Sequence, residues 1–123
     1  MKRDWDVIRE VLTEVEGLTS ADRIRKQYAS GDLGDGTADD PKVEHAFMLF
    51  DAGLLSGKSS NGNNGRVVFL PELSWEGRDL LDTMRSKPVW DRIKVVAQEK
   101  GIELTVDAVK ALGKGALDWV LTG

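Results

Sequence analysis

The chain has 123 residues, 41% of them apolar and 31% charged, with a formal net charge of −4. That length suits one domain with a core of its own, and that balance excludes disorder. There is no cysteine, which excludes disulfides and thiolate zinc sites, and no stretch approaches the roughly 18 apolar residues of a membrane span. Met1-Lys2-Arg3-Asp4 has no apolar run behind its basic pair, so no signal peptide is expected and the cytoplasm is the default compartment.

Residues 4 to 16 read as a helix. Asp4 can cap it, Asp6 suits the first turn, and Trp5, Ile8, Val11, Leu12 and Val15 form an apolar stripe. Gly17 ends it. Ser20 is expected to cap a second helix over about 21 to 29, with Ile24 and Tyr28 on one face and Arg23, Arg25 and Lys26 along it. Residues 30 to 40 are turn-rich. Asp40-Pro41 opens a third helix with apolar face Val43, Ala46, Phe47, Phe50 and Leu54.

The period then changes. Residues 54 to 58 and 66 to 70 read as two short strands joined by a flexible tip, Ser59 to Gly65. Pro71 suits an edge strand or its end. Three helices follow. Ser74 caps the first, with Trp75, Leu80, Leu81 and Met84 apolar. Pro88 starts the second, which Gly101 stops, and Thr105 caps the third, which runs to about Leu121. A shared core of Trp5, Ile8, Phe47, Phe50, Leu54, Phe69 and Leu81 is expected.

This order gives a mainly α fold with a small β-hairpin. It matches a winged helix-turn-helix over residues 1 to 86, followed by a C-terminal helical extension over 87 to 123. One cue is Ala52-Gly53-Leu54-Leu55, a helix running straight into a strand. The other is Leu73-Ser74-Trp75-Glu76-Gly77 through Leu81, which resembles the segment after the wing in many bacterial winged-helix regulators. The opening Met1-Lys2-Arg3-Asp4-Trp5-Asp6-Val7-Ile8-Arg9 resembles the start of a family of unknown function found in bacteria and their phages. Val43-Glu44-His45-Ala46 through Leu54, and Trp90-Asp91 through Lys110, are similar to it as well. The resemblance implies a winged-helix-like fold, a frequent prophage context and no established activity. It supplies no catalytic residues.

The residues themselves suggest no catalytic site, metal or cofactor. His45 is the single histidine, and no serine sits in a nucleophile elbow. The Asp32 to Asp39 loop lacks calcium-loop spacing. The function therefore rests on binding. Residues 31 to 54 hold Asp32, Asp35, Asp39, Asp40, Glu44 and Asp51 against Lys42 alone, a local charge of −5. With His45, these acids are the expected surface for a partner protein with a basic face, a host protein in a phage setting. The alternative is a DNA-binding regulator that grips phosphates through Arg23, Arg25, Lys26, Lys42, Lys58 and Arg66. Finally, Val109, Leu112, Ala116 and Trp119 recur at helix-pair spacing, so a homodimer through the last helix is expected.

Overall fold

The computed structural model describes residues 3–30 and 41–122. Among them are six helices and three strands: α1 (Trp5–Glu16), α2 (Ser20–Arg25), β1 (Gln27–Ala29), α3 (Pro41–Asp51), β2 (Leu55–Gly62), β3 (Gly65–Leu73), α4 (Trp75–Arg85), α5 (Lys87–Lys100) and α6 (Val106–Thr122). They form two compact units, Met1–Arg78 and Asp79–Gly123, which divide inside α4. No helix of the described residues is long and apolar enough to cross a membrane.

In the first unit, α1 begins where Asp4 caps it. The Asp4 carboxylate accepts from the amides of Asp6 (2.9 Å) and Val7 (3.3 Å). Ile8, Val11, Leu12 and Val15 are buried, as their spacing requires, while Trp5 is half-buried. α1 packs on α3 and β3.

The second helix is shorter than its composition suggests. Thr19, not Ser20, caps it, and it stops at Arg25. Gln27, Tyr28 and Ala29 instead pair antiparallel with Phe69, Val68 and Val67. Tyr28 is therefore a buried strand residue rather than a partner of Ile24, which is 73% exposed. The pairing strand lies far along the chain, so local propensity could not reveal it. The sheet has three strands in the order β1-β3-β2, not a lone hairpin.

α3 is also turned relative to the expected stripe. His45, Ala46 and Leu49 face inward, while Val43, Phe47 and Phe50 are half-buried. Of the expected core, Ile8, Leu54 and Leu81 are buried, whereas Trp5, Phe47, Phe50 and Phe69 remain partly exposed. The helix ends in a Schellman turn: the Gly53 amide donates to Phe50 and the Leu54 amide to Leu49. Gly53 takes φ +80°, the left-handed exit that glycine permits without strain.

β2 and β3 are longer than the hydrophobic pattern indicates. They run out to a Gly62–Gly65 pair, so the expected flexible tip is mostly paired strand with a turn at Asn63-Asn64. Pro71 lies near the end of β3, past the Gln27–Phe69 pair where pairing with β1 ends, so β2 alone flanks it there. The pairing shifts register between Ser56 and Lys58, and the adjacent Leu70 takes φ +54°. The Pro71 carbonyl accepts from Arg23 on the side where no strand pairs, so no ladder donor is missed there.

The start of α4 closes the unit. The Ser74 hydroxyl donates to the Gly53 carbonyl (2.6 Å) and accepts from the Gly77 amide (3.1 Å). A side-chain carbon on Gly77 would stand 2.1 Å from the Leu54 carbonyl oxygen. The two sequence cues, Ala-Gly-Leu-Leu and Leu-Ser-Trp-Glu-Gly, are thus two halves of one contact. Trp75 takes no part in a core and is 82% exposed.

In the second unit, Leu80, Leu81, Met84, Val89, Ile93, Ala97, Val109 and Ala116 are buried, and α5 packs on α6. Thr105 caps α6 by accepting from the Ala108 amide (3.0 Å).

Candidate functional site

The inward side of α3 fixes its outward side. His45, Ala46 and Leu49 lie on one line of the helix, so Val43, Glu44, Phe47 and Asp51 point away from the core. His45 is not part of the exposed surface; it is 2% exposed. Its Nε2 accepts from the Asp4 amide (2.9 Å) and its Nδ1 lies 2.6 Å from the Pro41 carbonyl. An accepting Nε2 puts the proton on Nδ1, which donates to Pro41. The ring therefore joins the start of α1 to the start of α3, and the structure corrects its place among the partner-binding residues.

Glu44 is half-buried and Asp51 is exposed. Asp51 forms a bidentate pair with Arg66, at 3.0 and 2.6 Å. That hydrogen bonding holds its carboxyl below the usual carboxylate range. The Arg66 guanidinium also lies over the rings of Phe47 (4.8 Å) and Phe50 (5.9 Å). Asp32, Asp35, Asp39 and Asp40 lie outside the described residues.

The cations proposed for phosphate contact are mostly committed within the fold. Arg23 donates to the Pro71 carbonyl (3.3 Å) and pairs with Glu72 (3.4 Å). Lys26 pairs with Glu14 and stacks over Tyr28 (4.9 Å). Lys42 pairs with Glu10 (3.0 Å) and Glu14 (3.1 Å). Those hydrogen bonds, Glu10's first, raise the Lys42 ammonium above its ordinary value. Arg66 is held by Asp51. Arg25 and Lys58 are exposed and form no ion pair among the described residues.

Glu14 is the hub that composition did not single out. Burial alone would raise its carboxyl. Hydrogen bonds from Lys26, Lys42 and the Tyr28 hydroxyl (2.9 Å) outweigh that and bring it down to about 2. Burial, then the negative charge of Glu14, pushes the Tyr28 hydroxyl well above its ordinary value. The available signal was the Glu10 and Glu14 pair, one turn apart on the polar side of α1.

The expected dimer seam is divided. Val109 (2% exposed) and Ala116 (4%) are buried, and α6 packs on α5. Leu112 is half-buried, and Trp119 is half-exposed with the Arg92 guanidinium 4.6 Å from its ring. Two of the four seam residues are thus already consumed within the chain. Among the described residues, no three His, Cys, Asp or Glu side chains are placed to hold a metal. A cleft of about 240 Å³ in the first unit includes Thr19, Arg23, Pro71, Glu72 and Arg78 in its lining. Its Arg23 and Glu72 already neutralise each other.

Residues 2–103, α1 through the end of α5, match the model of a family described as hypothetical protein (DUF2513). The chain belongs to the DUF2513 family. A relative of the same kind, an uncharacterized protein of Haemophilus influenzae, is 30% identical over 98% of this chain and 99% of its own. No solved structure gives a significant match. The DUF2513 match includes the α3 face, its Arg66 partner and the Glu14 hub, and it ends before α6.

Proposed function

We propose that this protein is a non-enzymatic, winged-helix-like module of the cytoplasm that binds another protein through the outward face of α3. The winged-helix reading is supported by the Gly53 exit from α3 into the β2–β3 hairpin and by the β1-β3-β2 sheet order. One observation carries the choice of partner: Arg23, Lys26, Lys42 and Arg66 are each tied to a carboxylate of the same chain. A phosphate contact would have to break those pairs, and only released counterions would offset the loss.

The helix that would enter a major groove offers Val43, Glu44, Phe47 and Asp51. None of these is a base-reading Arg, Lys, Asn or Gln. Val43 and Glu44 suit a protein surface with an apolar patch beside Lys or Arg, while Phe47 and Asp51 already engage Arg66 and would meet a partner through it. In a prophage setting that surface belongs to a host protein.

The test has two parts. Titration of labelled duplex DNA at about 0.15 M salt should show binding no tighter than roughly 10⁻⁶ M. Capture from nuclease-treated host lysate should retain a partner that Phe47→Asp and Glu44→Lys both release. Sub-micromolar DNA binding abolished by Arg25→Ala with Lys58→Ala would overturn the reading in favour of a DNA-binding regulator.

A further inference from the structure

We infer that the outer edge of β2, with the cleft beside Trp75 and Arg78, takes up an extended acidic segment of another protein as a further strand of the sheet. This surface stands apart from the α3 face and uses different residues. β3 is central in the order β1-β3-β2, so the second edge of β2 has no strand beside it among the described residues. Backbone groups on such an edge meet only water, and an added strand satisfies donors and acceptors together. Residues 56 to 62 are all exposed, and apart from Lys58 all are uncharged and short, which leaves room for a neighbour. The register shift lies between Ser56 and Lys58, so the regular edge is residues 58–62, about 17 Å of strand.

A recess adjoins that strand. Ser56 of β2 lines a cleft of about 400 Å³ together with Glu72, Leu73, Ser74, Trp75 and Arg78. Trp75 and Arg78 are three positions apart on α4 and so are neighbours on its surface. Trp75 is 82% exposed, and its indole forms no hydrogen bond or ring contact among the described residues. Trp and Arg are the side chains that contribute most at protein interfaces, chiefly where they line a recess.

The charges decide what the segment carries. Two charged side chains line the cleft: Glu72 is paired with Arg23, whereas Arg78 forms no ion pair among the described residues. Lys58, the one charge on β2, forms none either. Acids on the incoming segment meet both cations. A second copy of β2 does not fit, because residues 55–62 contain no Asp or Glu and the copy would add another Lys58. A phosphate backbone fits less well too. It offers acceptors alone, and the outward carbonyls of β2 would face them without a donor.

The test is selection on the full chain from a displayed library of random peptides of about ten residues, the length of a long strand. Enriched peptides should be acidic, rich in β-branched residues and free of internal proline. A synthetic peptide of the most enriched sequence should protect the amides of residues 58–62 from hydrogen exchange. Lys58→Glu, Arg78→Glu and Trp75→Ala should each weaken its binding by about tenfold, with helical circular dichroism unchanged. The same peptide with lysine at each acid should prefer the doubly reversed variant, Lys58→Glu with Arg78→Glu, over the wild type. No enrichment, protection confined to other elements, or indifference to both charge reversals would overturn the proposal. So would displacement of the peptide by duplex DNA at about 0.15 M salt, which would assign the edge to nucleic acid.

Discussion

Glu14 accepts hydrogen bonds from Lys26 just beyond α2, Tyr28 on β1 and Lys42 on α3. Each donor favours the carboxylate over the carboxylic acid, which is why its titration falls from the ordinary 4.5 to about 2. A carboxyl depressed in the folded state stabilises the protein fully above its unfolded value. That stabilisation drains away as pH falls from about 4.5 towards 2. Glu14→Gln should therefore cost about 1–2 kcal/mol near neutrality, a figure reduced for the water that reaches a partly exposed carboxylate. The gap between the two proteins should close in acid. Urea midpoints measured at neutral pH and again at the acid end check both halves. A gap that persists in acid would mean that the hub acts through packing rather than charge.

At the scale of elements, most helix ends were legible, those of α2 excepted, and the rotation of α3 was not. Asp4, Gly53, Ser74 and Thr105 act at the termini where their chemistry is useful, because caps are local. The stripe of α1 was legible too, since one face of it is buried along its whole length. On α3 the large aromatics drew the expected core toward Phe47 and Phe50. Yet Arg66, from another element, covers those rings from outside, while Leu49 and His45 take the interior. Tyr28 was misplaced for the same reason, since its strand partner is remote in sequence. The acids were legible as residues, but the cations that pair with Asp51 and Glu14 depend on tertiary approach that no spacing encodes.

Two substitutions test this arrangement. Leu49→Ala should cost about 2–5 kcal/mol and Phe50→Ala clearly less, because only the first leaves a cavity in a sealed core. Equal costs in thermal or chemical unfolding would return α3 to its expected rotation. Gly77→Ala should cost about 3 kcal/mol or more. Its methyl group would fall on the Leu54 carbonyl, a backbone atom that cannot swing aside as a side chain could.

At the scale of the whole molecule, internal pairing takes up a part of the charge, concentrated among the described residues of the first unit. The chain carries 17 basic and 21 acidic residues. In the first unit, basic residues on or beside α2, α3 and β3 are bound to acids of α1, α3 and β3. A polyanion that approached Arg23, Lys26, Lys42 or Arg66 would have to displace a carboxylate from each. The same pairing gives the molecule an optical property. Tyr28 is the one tyrosine of the chain, and burial together with Glu14 keeps its phenol protonated well above the ordinary value of 10.0. In alkaline solution an unfolded chain ionises that phenol and a folded one does not. Stability is therefore expected to fall as pH rises beyond about 10, since only the unfolded state releases the proton. Tyrosinate absorbance at high pH should then appear in step with loss of helical circular dichroism, and Glu14→Gln should bring both to lower pH. Absorbance that rises while the helices persist would show a phenol open to solvent. If the two coincide, the ring serves as a label-free reporter, silent in every folded molecule and visible in each one that opens.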